Sequence, residues 1–239
     1  MTRIRADRLL VARGLAETRA LAQAAIVAGG VRADGEVVVR AAQLVAEDAE
    51  LALDPPHPWV SRGGLKLAHA LTAFGVDPAG TICLDVGAST GGFTDVLLAR
   101  GATHVTAVDV GRAQLHPRLR GDHRVRVLEG RDARTLTAAD LPGPPGLVVC
   151  DASFIGLAKV LAVPLALAAP DAALIALVKP QYEAGPGVTV RTPEAARAVA
   201  EAAARGLDGL AGFTLRALVD SPVRGGDGQI EFLLLARRP

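Results

Sequence analysis

Leu84-Asp85-Val86-Gly87-Ala88-Ser89-Thr90-Gly91-Gly92-Phe93-Thr94-Asp95 is the stretch that decides the fold of this chain. Its first residues close the apolar run Thr81–Val86, which is typical of a buried strand, and its last residues open Gly92–Arg100, which has helical periodicity. Glycines between them let the backbone approach a ligand closely. A glycine-rich turn from strand to helix predicts a ligand site at the carboxyl end of a parallel strand.

The acids around this turn indicate the kind of ligand. The glycine pattern Gly87-x-x-x-Gly91-Gly92 differs from the Gly-x-Gly-x-x-Gly of dinucleotide-binding proteins. Asp85 suits a cationic centre better than a pyrophosphate, and the amino group of S-adenosylmethionine is such a centre. Asp109 ends the next strand, where an acid can accept both ribose hydroxyls of an adenosine. Asp132 follows the third strand and could receive the adenine amino group, although each acid could also be a turn residue or a helix cap.

Strands and helices alternate from residue 60 onward, which implies a mainly parallel α/β sheet with helices on both faces. Only the loop Asp220–Gly228 joins the last two strands, so we expect them to pair antiparallel. The predicted strands are Thr81–Val86, His104–Val108, Arg124–Leu128, Gly146–Cys150, Ala172–Val178, Thr214–Val219 and Gln229–Leu235. The predicted helices are Gly64–Phe74, Gly92–Arg100, Leu157–Ala169 and Pro193–Leu207.

The first 53 residues predict a separate, small α+β domain. Helical periodicity covers Ala6–Arg13 and Thr18–Ala28, and Gly29-Gly30 ends the second helix. A hairpin with Asp34-Gly35 at its tip and a short strand at Leu51–Leu53 follow. Because the proline-rich run that begins at Asp54 indicates a stiff linker, we predict domains over residues 1–53 and 61–239 with a linker over 54–60.

The charge distribution restricts where a nucleic acid could bind. The net charge is only +1, so any such surface must be local. Residues 1–45 carry seven arginines against four acids, which is compatible either with an RNA-binding face or with an ordinary solvated helix surface. The arginines on the two predicted helices and the segment before them are Arg3, Arg5, Arg8, Arg13 and Arg19.

Three features favour a cytoplasmic protein without a membrane span. The N-terminus is polar, so we expect it not to be a secretory signal. Val160–Val178 is apolar with the single charge Asp171, but its two prolines predict a buried helix, a turn and a buried strand. Cys83 and Cys150 lie inside apolar runs and are expected to be buried free thiols.

Lysine is almost absent from the chain. Lys66, Lys159 and Lys179 are the only three among 26 basic residues, and the other 23 are arginine. Arginine stays protonated, whereas a lysine can lose its proton near neutral pH when its pKa is lowered. Lys66 and Lys179, which lie next to glycine and proline turns, are therefore candidates for chemistry that needs an amine, and Lys159 is expected to be a surface charge.

The chain resembles the TlyA-type (haemolysin A-like) ribosomal RNA methyltransferases, which combine an S4-type RNA-binding module with an FtsJ-like methyltransferase domain. The resemblance covers nearly the whole chain. Its motifs are Asp85–Thr94, Asp151-Ala152-Ser153-Phe154-Ile155, Val178-Lys179-Pro180-Gln181-Tyr182-Glu183, the S4-like start Arg8–Arg19, and Trp59–Leu67 with its Ser61-Arg62-Gly63-Gly64 turn. The resemblance implies a small N-terminal S4-like domain, followed along the chain by a methyltransferase domain with a seven-stranded, Rossmann-like sheet.

The resemblance also implies a Lys-Asp-Lys-Glu tetrad, made here of Lys66, Asp151, Lys179 and Glu231. The implied reaction moves a methyl group from S-adenosylmethionine to a ribose 2′-hydroxyl, in a cytidine of ribosomal RNA, without a metal ion. We expect Lys179 to act as the base and Lys66 to hold the hydroxyl, although the two roles could be exchanged. The acids would orient the two lysines.

The expected binding residues follow from these motifs. The cofactor is expected at Asp85, Gly87, Ala88, Ser89, Thr90, Gly91, Gly92, Phe93, Asp109, Asp132 and Asp151, and ribosomal RNA or ribosomal subunits at Arg3, Arg5, Arg8, Arg13, Arg19 and Arg62. Two departures from the family pattern concern the RNA side: Gly228-Gln229 replaces Gly-Asn, and the loop Ala184–Val188 has no basic residue. The alternatives are a non-catalytic RNA-binding or ribosome assembly factor and a membrane-active haemolysin.

Overall fold

The structure is a computed structural model and describes residues 2–27, 30–53, 57–185, 187–225 and 228–239. The predicted end of the second helix at 28–29, linker residues 54–56 and Pro186 of the predicted loop lie outside this range. The chain divides into two compact units, Met1–Pro58 and Trp59–Pro239.

In the described part of the first unit, the chain forms two helices and five short strands. Its elements are β1 (Arg3–Arg5), α1 (Ala6–Ala12), α2 (Arg19–Val27), β2 (Val31–Ala33), β3 (Glu36–Val37), β4 (Leu44–Ala46) and β5 (Leu51–Leu53). Thr18 precedes α2 and accepts a hydrogen bond from the Leu21 amide, as an N-cap residue does. The two helices, the hairpin of β2 and β3, and β5 confirm the prediction, whereas β1 and β4, which pair antiparallel, were not predicted.

The second unit alternates strands and helices. Its elements are α3 (Gly63–Phe74), β6 (Ile82–Val86), α4 (Gly92–Ala99), β7 (His104–Asp109), α5 (Pro117–Arg120), β8 (Val125–Glu129), β9 (Leu147–Cys150), α6 (Leu157–Ala166), β10 (Ala173–Val178), α7 (Pro180–Glu183), α8 (Pro193–Leu207), β11 (Thr214–Asp220) and β12 (Phe232–Arg237). Short 3₁₀ turns lie at Ala133–Thr135, Ala138–Asp140 and Leu210–Gly212.

These strands form one seven-stranded sheet in the order β11-β12-β10-β9-β6-β7-β8. Neighbouring strands among β10, β9, β6, β7 and β8 all pair parallel. β12 pairs antiparallel with both of its neighbours, β10 and β11. The mostly parallel sheet and its antiparallel final pair confirm the predicted fold class. After β6 the chain builds outward through β7 and β8 and then returns to the other side of β6 with β9. This reversal of strand order creates a crevice at the carboxyl ends of β6 and β9, where such sheets bind ligands.

Side chains on the two faces of the sheet build two apolar cores. Leu84 and Val86 of β6 pack with α6 and α8, whereas Cys83 packs on the opposite face with α3 and α4. Both cysteines are buried free thiols, as predicted, and burial raises each thiol pKa to about 12. β10 is buried at every position, which is why the run reads as continuously apolar.

The structure corrects two predicted boundaries. The helix α6 ends at Ala166, three residues before the predicted Ala169, because the chain turns back towards the sheet and the Ala169 amide donates to the carbonyl of Pro145. The strand β12 starts at Phe232 and not at Gln229, whose carbonyl instead accepts from the Gly225 amide inside the preceding loop.

The apolar run Val160–Val178 forms the buried helix, turn and strand that were predicted, with Asp171 in the turn at a φ of 59°. Among the residues that the structure describes, no helix has the length and apolar character that crossing a membrane requires.

Candidate active site

Described residues of the second unit line two cavities at the carboxyl edge of the sheet. The one we name the lysine cavity has a volume of about 310 Å³ and is lined by Ser61, Arg62, Gly63, Lys66, Gly87, Ala88, Ser89, Thr90, Gly92, Phe93, Asp151, Ser153, Lys179 and Arg224. The aspartate cavity, of about 430 Å³, contains Asp109 and Asp132 with the loops that follow β7, β8 and β9. Gly87, Ser89, Asp151 and Ser153 line both, so the cavities adjoin.

The four predicted tetrad residues form two ion pairs. Lys66, in the first turn of α3, places Nζ 2.5 Å from Oε2 of Glu231, and both side chains are at least nine-tenths buried. Lys179 follows β10 and places Nζ 2.7 Å from Oδ1 of Asp151, which follows β9. Lys66, Asp151 and Lys179 line the lysine cavity, whereas Glu231 contacts Lys66 without lining it. The structure therefore brings together four residues that are up to 165 positions apart in the chain.

Lys179 has two further partners in the same loop. Its Nζ lies 3.2 Å from the backbone oxygen of Asp151 and 2.8 Å from Oγ of Ser153. Lys66 has Glu231 as its one side-chain hydrogen-bond partner within the described chain. The two amines thus differ: Lys179 is held from several sides, and Lys66 keeps N–H groups available for a bound molecule.

The glycine turn is packed so tightly that larger residues would not fit. Gly87 has a φ of 79°, and a Cβ there would lie 2.9 Å from the backbone nitrogen of Ala152. A Cβ at Gly92 would overlap Oγ of Ser61. Gly91, which was predicted to bind the cofactor, lines neither cavity and packs against the side chain of Leu119. The other predicted turn residues, 87–90, 92 and 93, line the lysine cavity.

Asp85 lies beneath this turn and lines neither cavity. Its side chain is fully buried, and Oδ2 accepts a hydrogen bond of 2.7 Å from Oγ1 of Thr94. Oδ1 has no hydrogen-bond partner among the described residues. Burial raises the pKa of Asp85 to about 7, the Thr94 hydrogen bond opposes this shift, and the charge of Asp151 adds to it.

Asp109 and Asp132 lie in the aspartate cavity, but their surroundings differ. Asp109 accepts one backbone hydrogen bond at each oxygen, from Ser89 and Gly111, both at 2.7 Å. Asp132 is bound through both oxygens by the guanidinium of Arg134, which lowers its pKa. An adenine amino group would have to share Asp132 with this arginine.

Glu129 is a site residue that sequence reasoning missed. It ends β8 and accepts hydrogen bonds from the amides of residues 113–115, in the loop after Asp109, and from Arg120. Burial acts to raise its pKa, but the Arg120 and backbone hydrogen bonds outweigh burial and hold the pKa at about 2. The carboxylate therefore fixes the loop that borders the aspartate cavity.

Phe154 is an exposed aromatic residue at the edge of the aspartate cavity, and it too was not predicted. Its side chain is 86% exposed, although a phenyl ring normally avoids water. Its φ of 66° lies in the left-handed region, which is unfavourable for a bulky residue. The ring centroid of Tyr182 lies 5.0 Å away. The backbone strain holds an apolar surface towards solvent, where it can meet a ligand.

The arginines predicted to bind RNA fall into two groups in the first unit. Arg5 and Arg19 both bind Asp7, a fully buried carboxylate whose pKa is strongly lowered, foremost by Arg5. Arg13 donates to the backbone oxygen of Glu47. Arg3 and Arg8 are exposed. Part of the local positive charge thus serves the fold of this unit. In the second unit, Arg62 is exposed and lines the lysine cavity.

Comparison with known proteins assigns both units to families. Residues 59–238 match the FtsJ-like methyltransferase family, and residues 4–51 match the S4 domain family. The chain is 46% identical to the 16S/23S rRNA (cytidine-2′-O)-methyltransferase TlyA of Mycobacterium tuberculosis, over 98% of this chain and 90% of that protein.

The chain belongs to the TlyA family.

Other TlyA-family relatives carry a different name. Hemolysin A of Brachyspira hyodysenteriae is 34% identical over 96% of this chain and 98% of its own length. The solved structure of a protein named as a hemolysin, from Streptococcus thermophilus, superposes with a TM-score of 0.77 at 38% identity. The superposition covers all of this chain and 89% of the Streptococcus thermophilus chain. The resemblance that the motifs indicated is confirmed, and the TlyA family includes both methyltransferase and hemolysin names.

Proposed function

We propose that this TlyA-family protein transfers the methyl group of S-adenosylmethionine to the 2′-hydroxyl of a cytidine in ribosomal RNA. The observation that carries the proposal is the lysine cavity, in which two amines are each paired with a carboxylate beside the glycine turn. An RNA-binding protein without catalysis would have no use for two nearly buried lysines at a ligand crevice, since buried charges are costly to maintain.

The aspartate cavity fits an adenosine-containing cofactor. Its volume of about 430 Å³ lies within the usual range for small-molecule sites. Asp109 would bind the ribose hydroxyls through the lone pairs that its two backbone hydrogen bonds leave free. Oδ1 of Asp85, which has no hydrogen-bond partner among the described residues, is an acceptor beneath the glycine turn that would attract a cationic amino group through a bridging water. When bound, S-adenosylmethionine supplies an electrophilic methyl group.

The chain's own residues then prepare the hydroxyl for attack. A free N–H of Lys66 binds the hydroxyl oxygen and stabilises the negative charge that develops on it, while Glu231 keeps the amine in place. After its ammonium group has released a proton to solvent, the neutral amine of Lys179 accepts the hydroxyl proton, and Asp151 fixes its position. The Ser153 hydroxyl can donate or accept a hydrogen bond, so it can partner the Lys179 nitrogen before and after proton transfer. Lys66 has no such hydroxyl partner among the described residues, and this difference favours Lys179 over Lys66 as the base.

RNA binding is assigned to both units. In the S4 unit, the exposed Arg3 and Arg8 would contact phosphates, and the Asp7-bound pair Arg5 and Arg19 would add weaker contacts. In the methyltransferase unit, the target nucleotide must leave its stack to reach the lysine cavity. The exposed Phe154 ring offers a surface on which an unstacked base can lie.

Transfer of labelled methyl groups tests the proposal. The substrates are small and large ribosomal subunits, assayed separately, from cells in which the gene for this protein has been deleted. The product is digested to nucleosides and analysed for 2′-O-methylcytidine. If the wild type binds subunits but never methylates them, the proposed function is wrong and a role in assembly is favoured.

Lysine-to-arginine variants test the mechanism. Lys179→Arg keeps the positive charge but removes a usable base, so we expect transfer to fall by about 10²–10⁴-fold with cofactor affinity unchanged. Lys159→Arg is the matched control, because Lys159 is exposed and lines neither cavity. Full activity of Lys179→Arg would refute the assignment of the base.

A further inference from the structure

The lysine cavity is lined by two arginines in addition to the two lysines of the tetrad. Arg62, Lys66, Lys179 and Arg224 line it, against the single carboxylate of Asp151. Both lysines are neutralised by ion pairs. Within the described ranges, neither arginine has a carboxylate partner. Two guanidinium groups without a carboxylate partner in the described chain therefore border a cavity whose two amines are each paired with a carboxylate, and this excess positive charge suits an anion.

The fold places Arg224 close to the tetrad. It lies in the loop between β11 and β12, which is closed by a hydrogen bond of 2.9 Å from the Ser221 amide to the Glu231 carbonyl. A Cβ at the neighbouring Gly225 would lie 2.8 Å from Oε1 of Glu231, so the backbone beside Arg224 packs directly against the partner of Lys66.

One hydrogen bond orients the Arg224 side chain. Its Nη1 donates to the backbone oxygen of Gly228 at 3.1 Å. A guanidinium carries five N–H groups, so the others remain available for a bound group. Their fixed fork matches two oxygens of a phosphate.

The chemistry of RNA says which anion must enter. The 2′-hydroxyl lies on the ribose carbon next to the one that carries the 3′ phosphodiester. A pocket that holds this hydroxyl between Lys66 and Lys179 therefore receives that phosphodiester as well. We propose that Arg224, assisted by Arg62, binds the phosphodiester on the 3′ side of the methylated ribose. This inference rests on the proposed function and adds to it a positioning residue that lies outside the tetrad.

Kinetics with two Arg224 variants test the inference. For Arg224→Gln we expect the KM for ribosomal subunits to rise about tenfold, with kcat changed less than about threefold, because one charge-assisted contact is lost. Arg224→Lys should recover part of the loss, since a lysine still supplies a point charge to phosphate. Affinity for S-adenosylmethionine should not change, which also verifies that the variants are folded.

The salt dependence of subunit binding gives a second readout. Loss of one phosphate contact should reduce the slope of log affinity against log salt by about one. Arg100→Gln removes the same charge from an exposed position just beyond the far end of α4 and should leave KM and slope unchanged. An unchanged KM and slope in Arg224→Gln, or equal changes in Arg100→Gln, would overturn the inference. If the wild type transfers no methyl group, the proposed function fails, and the salt slope alone still decides whether Arg224 contacts phosphate.

Discussion

Replacing Asp85 with asparagine should change how the stability of the methyltransferase unit depends on pH. The folded protein holds the pKa of this fully buried carboxyl at about 7, against an ordinary value of 3.8. Between these two pKa values the folded state keeps the proton and the unfolded state loses it. The free energy of unfolding therefore falls as pH rises through this window and stays constant above it. The stabilisation is fully present only below about pH 4.

The size of the effect follows from the shift. One pKa unit corresponds to about 1.4 kcal/mol, so the rise from 3.8 to about 7 amounts to about 4 kcal/mol, of which about 3 kcal/mol falls between pH 5 and pH 8. Asparagine does not titrate. The difference in unfolding free energy between Asp85→Asn and wild type should therefore increase by about 3 kcal/mol in favour of asparagine from pH 5 to pH 8.

Urea unfolding followed by tryptophan fluorescence measures this difference. Trp59 is the only tryptophan in the chain, and it packs against the core of the methyltransferase unit, so it reports on that unit. Subtracting wild type from variant removes the contributions of all other titrating groups. A difference that stays constant from pH 5 to pH 8 would refute the reasoning. Thr94→Val removes the hydroxyl that favours the ionised carboxylate and should extend the pH-dependent window above pH 7.

Three further predictions concern other parts of the chain. Asp7→Asn should destabilise the S4 unit by about 1–3 kcal/mol through lost hydrogen bonds to its arginine partners, measured by amide exchange in its helices. Because the pKa of Asp7 is lowered in the folded state, this contribution is fully present above about pH 4 and declines progressively as the pH falls further. Gly87→Ala should cost about 2–4 kcal/mol and weaken cofactor binding, because its Cβ meets the backbone of Ala152. Gly80→Ala, with φ at 72° and no atom of the described residues within 4 Å of the added Cβ, should cost only about 1–2 kcal/mol. Phe154→Gly should raise the thermal midpoint by relieving the backbone strain and raise the KM for subunits about tenfold, as the loss of one stacked base implies; a lower midpoint would contradict the strain argument.

The central strands of the sheet could be predicted from sequence because they are buried on both faces. Such strands are continuous apolar runs, as in β10, and turn residues separate them. β1 and β4 contain three residues each, and α5 and α7 contain four, so none of them is long enough to show a period. The start of β12 was misplaced because Ile230 extends the apolar run, although the backbone of Gln229 is already bonded within the loop.

Which residues the fold gathers at the lysine cavity was largely predictable, but how they pair was not. Motif and composition pointed to Lys66 and Lys179, but the partner of each lysine depends on contacts between distant segments. Lys66 pairs with Glu231 across 165 positions, and Lys179 pairs with Asp151, 28 positions away. Arg224 has no local signal at all, because a single arginine in a glycine-rich loop is compatible with any exposed turn. Its meaning comes only from the cavity that the fold builds beside it.

The lysine cavity is lined by both lysines and arginines, and the two residue types differ in whether a carboxylate lies beside them. Each lysine there is paired with a carboxylate, whereas Arg62 and Arg224 have no acidic partner within the described part of the chain. A group that only binds an anion works best when it is always charged, which arginine ensures. A group that must exchange a proton needs an amine, and its nearby carboxylate keeps it oriented while its charge changes. In a chain with 23 arginines and three lysines, Lys179 thus suits the proton transfer proposed for it, and Arg62 and Arg224 suit the anion binding proposed for them.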